Sequence, residues 1–452
     1  MSHRMLSWAA AATGGMLAGA DASFARVATD TRRIGAGELF VALSGPNFDG
    51  HDFAPQAAKA GAVGLLVARR LEVALPQVVV EDTRLALGRL GAAWRARHSM
   101  PLLAVTGSNG KTTTKQMLAS IMARRGPCLA TRGNLNNDIG VPLTLLELEA
   151  GHQSAVIELG ANHRGEIAYL ASLAAPSVAL VTNAAPAHLE GFGGLDGVAA
   201  GKGEVYEALP ADGVAVINAD DHYAEYWRRL AGARRVVSFG RSAGADFREV
   251  GDRRGKLECV TPYGPLSIAL PLPGDHNRSN ALGAMAAAAA AGATAEQVVA
   301  GLESVEVPGG RLAEVAGRGG ATLIDDSYNA NPASMRAALE WACGLGRRVL
   351  FVMGDMGELG VDSATLHAEI GARARALGVA RLFAIGTLTP HAVAAFGDGA
   401  SHHADIAELC RALERALAPG CVVLIKGSRS ARMERVVDAL RADVRSTGSG
   451  GH

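Results

Sequence analysis

The chain has 452 residues, more than one hydrophobic core usually serves, so two or three domains are expected. Its 44 basic and 44 acidic residues cancel and make up only 19% of the chain, which argues against an electrostatic nucleic-acid binder. Cys128, Cys259, Cys343, Cys410 and Cys421 are scattered without ligand spacing, which suits a reducing compartment and gives no zinc or disulfide signal. At the N-terminus, Arg4 precedes Met5-Leu6-Ser7-Trp8 and a run of alanines, as in a secretory signal. Gly14-Gly15 and Asp21 break that run, and the stretch reads as a short helix ending at glycine. A cytoplasmic protein without membrane insertion is therefore expected, since the alanines 286–291 are too few to span a bilayer.

In chain order, apolar runs at 39–43, 64–68 and 77–80 read as strands, with a helix around 57–60 between the first two. The loop 44–53 is rich in turn formers and in groups able to grip a polar ligand, or is simply a structural turn. Leu85, Leu87, Leu90, Ala93 and Trp94 recur at helical spacing over 82–97. Strands then follow at 102–106, 155–160, 178–183, 214–220 and 235–240, alternating with helical stretches. Buried runs that end in polar residues are the signature of parallel strands with a ligand crevice at their carboxyl ends. Residues 251–273 are turn-rich with short strands, followed by helices reaching 291 and over 295–302. Val307-Pro308-Gly309-Gly310-Arg311 is the best linker, after which strands at 321–326, 348–355, 381–386 and 421–427 and a helix over 432–440 form a second alternating unit. The tail 446–452 is Gly/Ser-rich and expected to lack structure.

The sharpest chemical signal is the apolar run Leu102-Leu103-Ala104-Val105 leading into Thr106-Gly107-Ser108-Asn109-Gly110-Lys111-Thr112-Thr113. A buried strand feeding a glycine turn and a helix N-terminus makes a nest of backbone N–H groups suited to oligophosphate. Lys111 would reach the outer phosphates and Thr112 would offer its hydroxyl to a phosphate-bound Mg2+. Val105 stands where the usual loop has its first glycine, so this is a shortened variant; a plain surface turn would explain the glycines but not the lysine and threonines in register.

Such a loop does not separate hydrolase, kinase and ligase. Glu158 ends a strand, where a carboxylate can hold a hard cation, or can serve as a helix cap or ion pair. Asp220 also ends a strand and has the plainer alternative of capping the next helix. His188, in the loop 183–192, is a metal or substrate ligand or a structural histidine, and Lys202 sits in a helix-like stretch with a solvent-facing lysine as its bland reading. Asp325-Asp326-Ser327-Tyr328-Asn329-Ala330-Asn331-Pro332 and Lys426-Gly427-Ser428-Arg429-Ser430 suggest a second polar wall at strand ends of the last unit.

These motifs, with Gly133-Asn134-Leu135-Asn136-Asn137, Glu158-Leu159-Gly160-Ala161-Asn162, Ala187-His188-Leu189-Glu190-Gly191-Phe192, Lys202-Gly203-Glu204, His276-Asn277-Arg278-Ser279-Asn280 and Gly354-Asp355-Met356-Gly357-Glu358-Leu359, resemble the Mur ligases over essentially the whole chain. The resemblance implies a three-domain α/β protein: a small N-terminal α/β substrate domain at 1–81, a central P-loop ATPase domain with a mostly parallel sheet at 82–309, and a C-terminal Rossmann-like α/β domain at 310–452. It implies that Gly107, Ser108, Asn109, Gly110, Lys111, Thr112 and Thr113 bind ATP. Thr112 and Glu158 would hold one Mg2+, His188 would complete a second magnesium site, and Lys202 would be a carbamylated lysine. Carbamylation turns a cation that repels Mg2+ into an anionic oxygen ligand. Asn277 and Asn280 match adenine-binding asparagines, Asp326 a ribose contact and Arg311 an arginine near the terminal phosphate. Thr29, Asp30, Thr31 and Arg32, with Asn47, Asp49 and His51, look like the part that holds a UDP moiety; Asn329 and Asn331 belong to the substrate side. His367 matches a family histidine whose role the residues do not disclose, and Ala185 stands where the family commonly has glycine.

The pairing of Asp326-Ser-Tyr-Asn-Ala-Asn-Pro with Gly354-Asp-Met-Gly-Glu-Leu points, by resemblance, to the member that adds D-alanyl-D-alanine to UDP-N-acetylmuramoyl-tripeptide, acting as a monomer. The nearest rivals are a third-residue-adding ligase, which would show a Tyr-Ala-His-Thr-Pro-like continuation after Asp326, and a folylpolyglutamate-type enzyme. A rival of another class is a P-loop nucleotide-dependent binding module, which needs neither a second polar wall nor an amine substrate.

Overall fold

The computed structural model describes residues 4–186, 189–253, 255–306 and 309–442. His188, Val307 and Pro308 of the expected linker, and the tail 446–452 lie outside the described residues. The chain forms two compact units, one of Met1–Asn183, Ala199–Ala269 and Ser279–Val305, the other of Ala184–Val198, Leu270–Arg278 and Glu306–His452.

The first unit carries two large sheets. The smaller has five strands in the order Met16–Ala18, Gln77–Val79, Gly64–Val67, Glu38–Val41 and Arg26–Ala28, parallel except for the first pair. The helix Leu6–Thr13 precedes it and ends as expected, with Gly14 left-handed at φ 72° and its N–H bonded to the Ala10 carbonyl. The two outer strands, Met16–Ala18 and Arg26–Ala28, escape periodicity because three residues with exposed or half-exposed side chains show no apolar run.

The helix Thr83–Arg95 leads to the second sheet. Asp82 caps it, accepting from the N–H groups of Arg84 at 2.7 Å and Leu85 at 2.9 Å. Its buried stripe runs through Ala86, Leu87, Leu90 and Trp94. Leu85 is off that stripe and 47% exposed, correcting its place in the expected apolar face.

The nine strands of this sheet run Cys128–Ala130, Ser154–Glu158, Leu102–Thr106, Val178–Val181, Val214–Asn218, Arg235–Gly240, Phe247–Arg253, Lys256–Thr261 and Gly264–Ile268. The first seven are parallel. Leu102–Thr106 is the hub: the chain leaves it to one side for Cys128 and Ser154, then crosses to Val178 on the other. That reversal opens a crevice at the carboxyl ends of the central strands. The last two strands are antiparallel, so the short strands expected in the turn-rich stretch after Gly251 extend this sheet at its edge, with a bulge between Glu249 and Gly251. Leu102, Leu103, Val105, Val156, Ile157, Leu180 and Val181 are fully buried, as strands covered on both faces must be.

The second unit holds a six-stranded sheet ordered Ala313–Ala316, Thr322–Asp326, Val422–Lys426, Val349–Gly354, Arg381–Ile385 and Ala400–His403. Only Ala313–Ala316 is antiparallel. Both edge strands are additions to the four expected ones, and their half-exposed alternation explains why no apolar run marks them. Helices such as Pro332–Gly344 and Ser363–Ala376 cover one face around Phe351, Met353 and Leu424. Among the described residues no helix is long and apolar enough to cross a membrane.

Candidate active site

The strand Leu102–Thr106 delivers the loop 107–110 to the helix Lys111–Ala123. Two glycines are obligatory here. Gly107 has φ 139° and a Cβ on it would lie 2.0 Å from Thr182 Oγ1; Gly110 has φ 78° and its Cβ would meet Asn280 Oδ1 at 2.3 Å. The neighbouring strand end braces the loop. Ser108 N–H donates to the Asn183 carbonyl and Asn109 N–H to Asn183 Oδ1, each at 3.0 Å, while Thr182 Oγ1 donates to the Asn109 carbonyl at 2.6 Å. Lys111 folds back, donating to the carbonyls of Gly107 at 2.8 Å and Ser108 at 3.0 Å. A rigid turn thus ends on the first amides of a 13-residue helix, an electropositive terminus beside a lysine.

Behind the loop lies a buried ionic cluster. Thr112 Oγ1 donates to Glu158 Oε1 at 3.2 Å and Asn136 Nδ2 to the same oxygen at 2.8 Å. Glu158 Oε2 has no hydrogen-bond partner among the described residues and lies 3.5 Å from the Lys115 ammonium. Glu158 is 2% exposed and Lys115 fully buried. A threonine hydroxyl beside a buried carboxylate with an unbonded oxygen is a donor set that fits a hard divalent cation. Lys115 and Asn136 are the residues that sequence reasoning missed. Their signal was a lysine three positions after Thr112 on one helix face, and an asparagine inside the Gly133–Asn137 motif; spacing alone could not show that both reach Glu158.

Lys202, on the helix Leu195–Glu207, is buried rather than solvent-facing and donates to the Ala161 carbonyl at 3.0 Å. Burial, reinforced by the positive charge of Lys111, lowers its pKa to about 7. Two residues on, Glu204 accepts from the N–H groups of Gly165 at 2.7 Å and Ala168 at 3.0 Å, capping the helix Glu166–Ala174 and fixing the loop that Lys202 touches. Asp220 neither caps the following helix nor stands open to a ligand. It accepts from Ser242 N–H at 2.9 Å, Arg241 N–H at 2.6 Å and Ser242 Oγ at 2.6 Å, tying two strand ends together.

In the five-stranded region, Asp30 and Arg32 form a fork within one turn, with Arg32 Nη2 2.7 Å from Asp30 Oδ2. That hydrogen bond lowers the Asp30 pKa to about 2. Thr29 and Thr31 flank it, half-buried. Asp49 Oδ1 accepts from His51 N–H at 3.0 Å, His51 Nδ1 at 2.6 Å and Ser44 Oγ at 2.9 Å, bonds to His51 that hold its carboxyl well below the usual range. His51 Nε2 in turn accepts from Ala68 N–H at 2.8 Å. Both its ring nitrogens are therefore engaged, and His51 braces the hairpin from beneath while Asn47 and Phe48 are exposed at its tip.

In the second unit, Lys426 Nζ bonds Asp326 Oδ2 and donates to the Asn329 carbonyl at 3.0 Å, across paired strands in which residues 326 and 426 are register partners. Arg311 lies over the Tyr328 ring, 4.2 Å from its centroid, with Arg429 at 6.0 Å. Asn331 caps the helix Pro332–Gly344 in a capping box with Ser334, which engages its side-chain oxygen. Asn277 is buried and donates to the Pro273 carbonyl at 2.7 Å. His367 is explained: fully buried, it donates from Nδ1 to the Ser363 carbonyl at 2.6 Å and accepts at Nε2 from Met356 N–H at 2.9 Å, pinning the loop after Gly354 to its helix. Burial pushes its pKa below the ordinary value, which suits this neutral strut.

Residues 23–125 match the description "Mur ligase family, catalytic domain", 105–288 "Mur ligase middle domain" and 310–429 "Mur ligase, glutamate ligase domain". The UDP-N-acetylmuramoyl-tripeptide--D-alanyl-D-alanine ligase of Escherichia coli is 46% identical over 94% of this chain and 96% of its own. That of Bacillus subtilis is 34% identical over 92% of each. A crystal structure of MurF from Acinetobacter baumannii superposes with a TM-score of 0.92 at 37% identity, over 97% of this chain and 98% of the other. MurF from Thermotoga maritima in complex with ADP gives 0.82 at 26%, covering 92% and 96%. A shortened phosphate loop at the hub of a parallel sheet, a buried carboxylate behind it and near full-length similarity lead to one conclusion: this chain belongs to the Mur ligase family.

Proposed function

We propose that the chain is an ATP-dependent carboxylate-amine ligase that joins D-alanyl-D-alanine to UDP-N-acetylmuramoyl-tripeptide in cytoplasmic peptidoglycan synthesis, releasing ADP and phosphate. The observation that carries this reading is the Gly107–Thr112 loop placed beside Glu158, in a chain 46% identical to a ligase of that name. Within it, three domains at 1–81, 82–309 and 310–452 would divide the labour, in line with the separation of the three sheets.

The loop amides and Lys111 would bind the ATP phosphates, Lys111 exchanging its bonds to the Gly107 and Ser108 carbonyls for phosphate oxygens. Thr112 and Glu158 would hold one Mg2+, and His188 with a carbamylated Lys202 would hold a second. Bound there, the metal ions would offset the negative charge that opposes a carboxylate approaching ATP. Lys202 suits carbamylation because a lysine with pKa about 7 is substantially neutral near neutral pH, and only the neutral amine adds to CO2. Asn277 and Asn280 would hold adenine, Asp326 the ribose, and Arg311 the terminal phosphate. The turn 29–32 and the hairpin around Asn47 and Asp49 would hold the UDP end, with His51 as its brace and Asn329 and Asn331 on the peptide side.

The tripeptide's terminal carboxylate oxygen attacks the γ-phosphorus, forming an acyl phosphate and releasing ADP. The free amine of D-alanyl-D-alanine then adds to the acyl carbon, and the tetrahedral intermediate expels phosphate as the amide forms. Water must be excluded while the acyl phosphate exists, so compaction on binding ATP analogue and tripeptide substrate is expected in small-angle scattering. An assay of ADP release crossing lysine- and diaminopimelate-containing tripeptides with several dipeptides tests the assignment. Turnover should require both a tripeptide and D-alanyl-D-alanine; nucleotide turnover indifferent to either would reject it.

A further inference from the structure

The pair Lys115 and Glu158 has a feature that the reaction above does not use. Lys115 follows Thr112 by three residues on the helix Lys111–Ala123, so both side chains leave one face and reach the end of the strand Ser154–Glu158. The lysine ammonium donates to the Thr131 carbonyl at 2.8 Å and lies 3.5 Å from Glu158 Oε2. Thr131 also accepts Glu158 N–H through Oγ1 at 2.9 Å, so one threonine fixes both partners. Glu158 Oε1 is held by Asn136 and Thr112, while Oε2 faces the ammonium without a hydrogen bond among the described residues.

Removing two such ions from water is costly, and apolar side chains of similar volume would fill this core without that cost. Packing therefore does not account for a lysine at this position. Its charge does something else: it neutralises the same carboxylate that a divalent cation would use, and it repels that cation.

We infer that Lys115 is a positioning residue that competes with the metal for Glu158, so that metal binds firmly only once nucleotide phosphates have added negative charge at the helix N-terminus. This rests on the reading of Thr112 and Glu158 as metal ligands. Metal alone then binds weakly, metal and nucleotide strengthen each other's binding, and by linkage the coupling is equal in both directions. The device would keep the divalent cation with the nucleotide instead of leaving it bound to Glu158 alone.

The test is a Mn2+ titration of the full chain followed by electron paramagnetic resonance, with and without ADP. Lys115→Met and Lys115→Gln remove the charge, the second keeping a donor for Thr131; Lys115→Arg keeps the charge. Folding of each is checked by its thermal transition. Without ADP, Lys115→Met or Lys115→Gln should bind Mn2+ about tenfold or more tighter than the parent, the scale expected on removing a like charge beside a divalent site. The ADP-dependent gain should shrink by the same factor, and Lys115→Arg should stay within roughly threefold of the parent. Unchanged or weaker Mn2+ binding by the folded charge-removed variants overturns the inference. Glu158→Gln separates the two claims: if it binds Mn2+ with ADP as well as the parent does, the metal-ligand reading itself fails.

Discussion

The carboxyl edges of the two parallel sheets offer the same topological opportunity and are furnished differently. At the edge of the nine-stranded sheet Lys115, Glu158 and Lys202 are buried behind a glycine loop, and Glu158 Oε2 has no hydrogen bond among the described residues. At the edge of the six-stranded sheet, Asp326 is neutralised by Lys426, Asn331 caps a helix and Asp355 is engaged by three consecutive backbone amides. The first edge leaves one buried carboxylate oxygen without a hydrogen bond among the described residues, which suits it to a cation; the second pairs its carboxylates with a lysine and with backbone amides, which suits it to holding a ligand in place. Topology supplies a crevice at both edges, and the carboxylate oxygen left open beside the phosphate loop marks the one suited to chemistry.

Breaking the first edge should cost most. Lys111→Ala removes the charge that meets the phosphates, and kcat/KM for ATP should fall on the order of a thousandfold in an ADP-release assay. Lys202→Ala should lose roughly a hundredfold or more, with partial recovery on adding formate or acetate as a surrogate carboxylate. The same lysine sets a pH dependence. With its pKa lowered to about 7, the amine becomes protonated as pH falls through that value and can no longer take up CO2, so activity in limiting bicarbonate should drop below about pH 7 and recover with added bicarbonate.

At the second edge the effects should be smaller and of a different kind. Asp326→Ala should raise the KM for ATP about tenfold with a lesser change in kcat, because it removes one hydrogen-bonding group and leaves Lys426 without its carboxylate. Asp355→Ala should lower stability by about 2 kcal/mol while kcat is kept, since Asp355 accepts from the amides of Thr387, Leu388 and Thr389 at 2.8, 3.0 and 3.0 Å. Urea unfolding and steady-state kinetics on the same preparations would separate the two.

The phosphate loop was legible because strand, glycines, lysine and threonine are contiguous and each residue has a local physical reason. The five central strands from Leu102–Thr106 to Arg235–Gly240 were legible because parallel strands covered on both faces read as apolar runs, whereas Cys128–Ala130 and Phe247–Arg253 beside them were not expected. The edge strands Ala313–Ala316 and Ala400–His403 were not, because half-exposed strands of four residues carry too little pattern. Lys115 stands two residues beyond the Thr106–Thr113 motif and still escaped: a lysine is ordinarily solvated, and only the register of Leu102–Thr106 beside Ser154–Glu158 brings Glu158 to it. Asp220 looked like a site residue because it ends a strand, and His367 because it matches a family histidine, yet both serve the backbone around them. Strand-end position is thus a weak guide until the partners of each polar atom are known.

The most direct measurement is the fate of oxygen in the tripeptide's terminal carboxylate. With that carboxylate labelled with oxygen-18 and D-alanyl-D-alanine as acceptor, the account predicts one labelled oxygen in the released phosphate and none in ADP. Unlabelled phosphate, or AMP and pyrophosphate as products, would contradict activation of the carboxylate as an acyl phosphate.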